Sequence, residues 1–70
     1  MSKLEQLARA EGMTVDDMLE MSVYDSVAPA ICTEPGCNYT AHYEPDQEGG
    51  FCEACGKHTV TSCLVIAGLI

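Results

Sequence analysis

Two stretches decide how this chain folds: Ile31-Cys32-Thr33-Glu34-Pro35-Gly36-Cys37-Asn38 and, after fourteen residues that follow Cys37, Cys52-Glu53-Ala54-Cys55-Gly56. They place four cysteines in two close pairs, Cys32-x4-Cys37 and Cys52-x2-Cys55. Two such pairs at the tips of adjacent hairpins can aim four thiolates at one tetrahedral ion about 2.3 Å from each sulfur, an arrangement that suits zinc. The residue after the second cysteine of a pair needs a backbone that turns N–H groups toward sulfur. Gly56 supplies it without steric cost, and Asn38, in the equivalent place, is the next most tolerant residue type. Cys32, Cys37, Cys52 and Cys55 are therefore the expected metal ligands, with one zinc per chain as cofactor. Iron is the alternative, since soft tetrahedral thiolate sites accept either metal.

The rest of the chain makes such a staple necessary. Seventy residues form one domain at most, and at that size only about 60% of the unfolded surface can be buried. Five cysteines is an odd number, so complete internal disulfide pairing is impossible, and disulfides are rare in a reducing cytosol. A cytoplasmic location is expected because the N-terminus, Met1 to Leu7, carries Glu5 and Gln6 where a secretory leader would have an uninterrupted apolar run. The apolar stretch from Cys63 to Ile70 has eight residues, against about twenty for a membrane span. No membrane association is expected.

Upstream of the cysteines the pattern is helical. Ser2 and Glu5 fit a capping box, Leu4, Leu7 and Ala8 recur at helical spacing, and Gly12 can close the helix in a left-handed conformation. A second helix begins after Thr14, with Asp16 and Asp17 in its first turn, Met13 placed to staple onto Met18, and an inner stripe of Val15, Met18, Leu19 and Val23. The spacing imitates a helix-turn-helix, but Asp16, Asp17 and Glu20 stand where a recognition helix would need basic or amide side chains. A capped helical hairpin over residues 3–24 is the reading that the charges favour.

Downstream, Tyr39 to Glu44 alternates as a strand with Tyr39, Ala41 and Tyr43 on one face, and Pro45 to Gly50 reads as a turn leading to Phe51 and Cys52. Residues 38–52 are thus expected to form one hairpin, with a further strand over His58 to Thr61. Ser62 can cap a short helix from Cys63 to Ala67. Cys63 itself, followed by Leu64-Val65-Ile66, is expected as a small buried residue. His42 and His58 lie on strand-like segments and are not needed by a shell that four thiolates complete. Gly49-Gly50 is a turn, and no catalytic constellation is recognisable. The chain is not expected to be an enzyme.

The sequence Ile31 to Thr40, with Glu44-Pro45-Asp46-Gln47, Cys52-Glu53-Ala54-Cys55-Gly56 and Thr59-Val60-Thr61-Ser62, resembles a group of short, uncharacterised bacterial proteins with a zinc-ribbon-like core. The resemblance spans roughly residues 13–70 and implies zinc on the same four cysteines; it implies no activity. Cys37 to Asp46 and Gly50 to Gly56 are also similar to rubredoxins, which hold one iron between two cysteine pairs for electron transfer. Here the first pair has four intervening residues instead of two, the second knuckle lacks its proline, and the loop between pairs is about half as long.

These readings combine into a small, metal-stabilised α+β protein of one domain, residues 1–70. The helical hairpin (3–24) packs on a zinc-ribbon-like β-hairpin core (30–62), and the apolar tail (63–70) fills the seam against Leu4, Leu7, Met18, Leu19, Val23 and Ile31. A tail left uncovered would be an interface for a homodimer or another partner. The formal charge of −8, about −10 with four thiolates and a divalent ion, disfavours nucleic acid and anionic membranes as partners. It favours a basic protein partner, and hence an interaction or regulatory module. A nucleic-acid-binding zinc ribbon acting in transcription and a rubredoxin-like electron carrier are the alternatives.

Overall fold

In the computed structural model, which describes residues 2–70, Ser2 opens helix α1 (Lys3–Glu11) through a complete capping box. Its Oγ accepts from the Glu5 N–H at 3.1 Å while its own N–H donates to Glu5 Oε1 at 3.2 Å, so two otherwise orphaned donors are satisfied. Gly12 ends the helix at φ 73°, and Met13 then donates to the Ala8 carbonyl. Thr14 caps α2 (Val15–Tyr24) by accepting from Asp17 N–H at 3.1 Å. The helical hairpin expected over residues 3–24 is present, joined by three residues.

Four strands follow: β1 (Ala28–Cys32), β2 (Thr40–Tyr43), β3 (Gly50–Phe51) and β4 (His58–Ser62), in the antiparallel order β2-β1-β4-β3. This corrects the expected hairpin over residues 38–52. Its two arms lie at opposite edges of the sheet, because the segment from Ala28 to Cys32 inserts as a central strand and pairs with β2 on one side and β4 on the other. Pro29 is tolerated there for a geometric reason. Cys32 donates to Tyr39 of the β2 side and Thr33 to Thr59 of the β4 side, so odd-numbered residues of β1 aim their N–H at β4, and β4 has already ended at Ser62, opposite Ala30. The proline therefore removes no ladder bond.

The sheet curls until its edges touch through side chains. Tyr43 donates from its hydroxyl to the Phe51 carbonyl at 3.1 Å. A Cβ built on Gly50 would lie 3.1 Å from the Tyr43 ring and 3.2 Å from the Val60 carbonyl, so any larger residue would force the ring and the β4 backbone to give way, and glycine accommodates the closure without that cost.

One face of the sheet carries the helices, which all pack on β1. Leu7, Ala8, Met18, Ala28, Ile31, Cys63 and Leu64 form that cluster; full burial of side chains such as Leu7, Met18 and Ile31 stabilises the fold by about 1.5–3 kcal/mol each. Ser62 caps α3 (Cys63–Ile66) by accepting from Val65 N–H, and its hydroxyl also donates to the Pro45 carbonyl. Two further expectations need correction. Val23 is exposed and Ser22 is buried in its place, with Oγ donating to the Met18 carbonyl at 2.7 Å and lying 3.3 Å from Cys63 Sγ. Helix α2 presents the i, i+4 successor of Met18 inward, and back-bonding lets a serine sit there. The tail fills the seam only as far as Ile66, for Gly68 turns it outward at φ 76° and leaves Leu69 and Ile70 exposed.

Candidate metal centre

The opposite face of the sheet holds a second cluster, Ala30, Cys32, Cys52 and Val60, with Cys37, Tyr39, Tyr43 and Cys55 packed against it. Alternation along β1 sends Ile31 to the helices and Cys32 to this side. The sulfurs of Cys32, Cys37, Cys52 and Cys55 all lie within 4.8 Å of one another, a group that can hold a metal ion. All four expected ligands are thus brought together; His42 and His58 stay outside the group. His42 bonds Glu11 at 2.9 Å, and His58 packs edge-on against Phe51 with ring centroids 5.6 Å apart.

Two sulfur pairs bridge the half-sites at 3.7 Å, Cys32 to Cys55 and Cys37 to Cys52. A tetrahedron with ligand bonds of about 2.3 Å has edges of about 3.8 Å, so two of its edges are already present. The thiols are free, far from the ~2.05 Å of a bonded pair. Four soft donors in this arrangement fit zinc or iron and leave no open coordination position.

Each knuckle has its own backbone solution. In the second, Gly56 takes φ 71° and donates to the Cys52 carbonyl at 2.8 Å, while Cys52 N–H donates to the Lys57 carbonyl at 2.7 Å. In the first, the left-handed residue is Gly36, at φ 83°, inside a turn that closes with Cys37 N–H donating to the Glu34 carbonyl at 3.1 Å. Proline followed by a positive-φ glycine is the signature of a type II turn. Asn38, expected to mirror Gly56, does not have positive φ; the longer first gap gives Pro35-Gly36 the turn and removes the demand from the residue after Cys37.

Burial pushes the Cys32 thiol up, but hydrogen bonds from the Thr59 hydroxyl at 2.9 Å and from the Glu34 backbone outweigh it and bring it to about 7. Cys55 moves the other way, raised first by the neighbouring Cys52 thiol and then by burial. Among neighbouring thiols, one that ionises first makes the others harder to ionise until a cation arrives. Thr59 is a contributor that the sequence reading missed; its place four residues after Cys55 is the available signal, and the pairing that points it at Cys32 is not local.

Two cations stand beside the first knuckle. Lys3, from the start of α1, donates to the carbonyls of Glu34, at 2.9 Å, and Cys37. Lys57 donates to Glu34 Oε1 at 3.2 Å, which raises its pKa. Two of the chain's three basic residues therefore sit where four thiolates and a divalent ion would leave excess negative charge. Cys63 lies apart, fully buried in the helical cluster, as expected of a small apolar residue.

Compared with known protein families, curated proteins and solved structures, the chain matches none. Among the described residues no helix is long and apolar enough to cross a membrane.

Proposed function

We propose that this chain is a small zinc-stabilised, non-catalytic interaction module of the cytoplasm that presents an acidic surface to a basic protein partner. The observation that carries the reading is the pair of 3.7 Å sulfur edges across the two half-sites, which suit a closed four-thiolate shell. A shell of that kind is structural, because a catalytic zinc keeps one position for water or substrate. The group of short bacterial proteins with a zinc-ribbon-like core remains the family likeness that this reading extends. Zinc is favoured over iron because the two knuckles are built differently, one on Gly36 and one on Gly56, unlike the repeated knuckles of the rubredoxin pattern. Nucleic acid is disfavoured because Lys3 and Lys57 are engaged at the first knuckle, which leaves too little basic surface for a phosphate footprint. The outward-turned Leu69 and Ile70 support self-association through the tail as a further property of the module.

Elemental analysis and native mass spectrometry of the purified chain test the site. One zinc per chain in a colourless protein is the expected result. A red, iron-loaded protein would move the function to electron transfer, and metal-free protein with titratable thiols would overturn the site.

A further inference from the structure

The second surface with the makings of a binding site lies on the helical side. A cavity of about 220 Å³ opens between the end of α1, helix α2 and the start of β1, and its apolar lining is Met13, Met18, Met21, Val27 and Pro29. All three methionines of the described residues face this one hollow. Met18 forms a buried floor, whereas Met21 and Val27 stay 54% and 48% exposed at the mouth. Methionine surfaces are flexible and polarisable and adapt to varied apolar side chains. The volume is below the roughly 300–1,000 Å³ of pockets that take drug-sized ligands, so a single large side chain is the occupant that fits.

The rim is negative. Glu11 and Asp25 line it; Glu11 is met by His42 at 2.9 Å, and no cation among the described residues pairs with Asp25. Asp25 is also the C-cap of α2, which has no basic residue in its last turn. Helices α1 and α3 close their ends with N–H bonds from Gly12 and Ala67, but among the described residues none closes the end of α2. The negative pole of a helix, about half an elementary charge, therefore stands beside an uncompensated carboxylate. Lys and Arg are the side chains that satisfy such carbonyls.

We infer that this cavity docks one large apolar side chain of a partner polypeptide whose neighbouring residues are Lys or Arg, the cations lying against Asp25 and the open end of α2. The inference rests on the basic-partner reading above and gives it a location and a recognition rule. Charge complementarity selects the flanks, and the methionine floor selects the anchor.

The test uses the full metal-loaded chain carrying 13C-labelled methionine methyls, titrated with an amidated pentapeptide of one leucine between two pairs of lysines. Saturable shifts of Met13, Met18 and Met21 are expected. Affinity should fall at least about tenfold when alanine replaces the leucine, and several-fold in 0.5 M salt or in Asp25→Asn. A peptide with glutamates in place of the lysines should not bind. Equal binding of the glutamate peptide, or silent methionine methyls, overturns the inference. If the lysine peptide binds by calorimetry but leaves the methionine methyls unshifted, the basic-partner reading survives and the docking site falls; if it does not bind at all, both fall.

Discussion

The ring of Tyr43, on one edge strand, lies over Gly50, on the other, where an added Cβ would come within 3.1 Å of it. Backbone pairing puts these two residues at opposite ends of the four-stranded order, yet curling brings them into contact. Gly50→Ala should therefore destabilise the metal-loaded protein by about 1–3 kcal/mol, the cost of overpacking a close approach that includes the Val60 carbonyl. Chemical denaturation of the variant with Tyr43→Leu added in a double-mutant cycle checks it; recovery of part of the loss in the double variant is the expected sign of coupling.

Removing the metal should unfold the chain. Metal binding in small zinc modules supplies on the order of 10 kcal/mol of folding free energy, comparable to the whole stability of a typical domain. A strong chelator should abolish the dispersed amide spectrum, and readdition of zinc should restore it. A spectrum unchanged by chelation would show that the helical cluster around Leu7, Met18 and Ile31 suffices alone.

Thr59→Val keeps the shape of a β4 side chain while deleting the hydroxyl 2.9 Å from Cys32 Sγ. Outer partners of metal ligands are worth about 10–100-fold in affinity, so zinc binding should weaken by about tenfold. Competition against a chromophoric chelator measures it, with circular dichroism at saturating zinc as the check that the fold persists.

Lys3→Met should loosen the join between α1 and the first knuckle. The lost bonds to the carbonyls of Glu34 and Cys37 predict about 1 kcal/mol of destabilisation, with faster hydrogen exchange at the Cys37 amide, which closes that turn.

The capping box gives a pH dependence of definite sign. The backbone and hydroxyl of Ser2 hold Glu5 below its ordinary value of 4.5. A carboxyl depressed in the folded state contributes stability above its unfolded value, and that contribution disappears as pH falls through the lower folded value. Ser2→Ala should raise the Glu5 pKa toward 4.5 and shrink the acid-dependent part of α1 stability, as read by carboxyl-carbon NMR titration.

Local chemistry determined what could be read directly from the chain. Ser2 with Glu5, Thr14, Gly12 and Ser62 mark helix ends because each cap is satisfied within three or four residues, and the two cysteine pairs announce a four-sulfur group because each pair is itself a turn. What tertiary structure alone decided was partnership across distance. The segment from Ala28 to Cys32 carries Pro29, a residue that by itself speaks against a central strand; only the end of β4 at Ser62 makes the proline harmless, and that end lies thirty-three residues away. Its insertion moves Tyr39–Tyr43 and Phe51–Cys52 to opposite edges. Thr59 beside Cys32, Lys3 beside Cys37 and the three methionines around one hollow follow from the same pairing. None is encoded in a neighbouring residue, because strand order and helix docking are settled by which surfaces exclude water together.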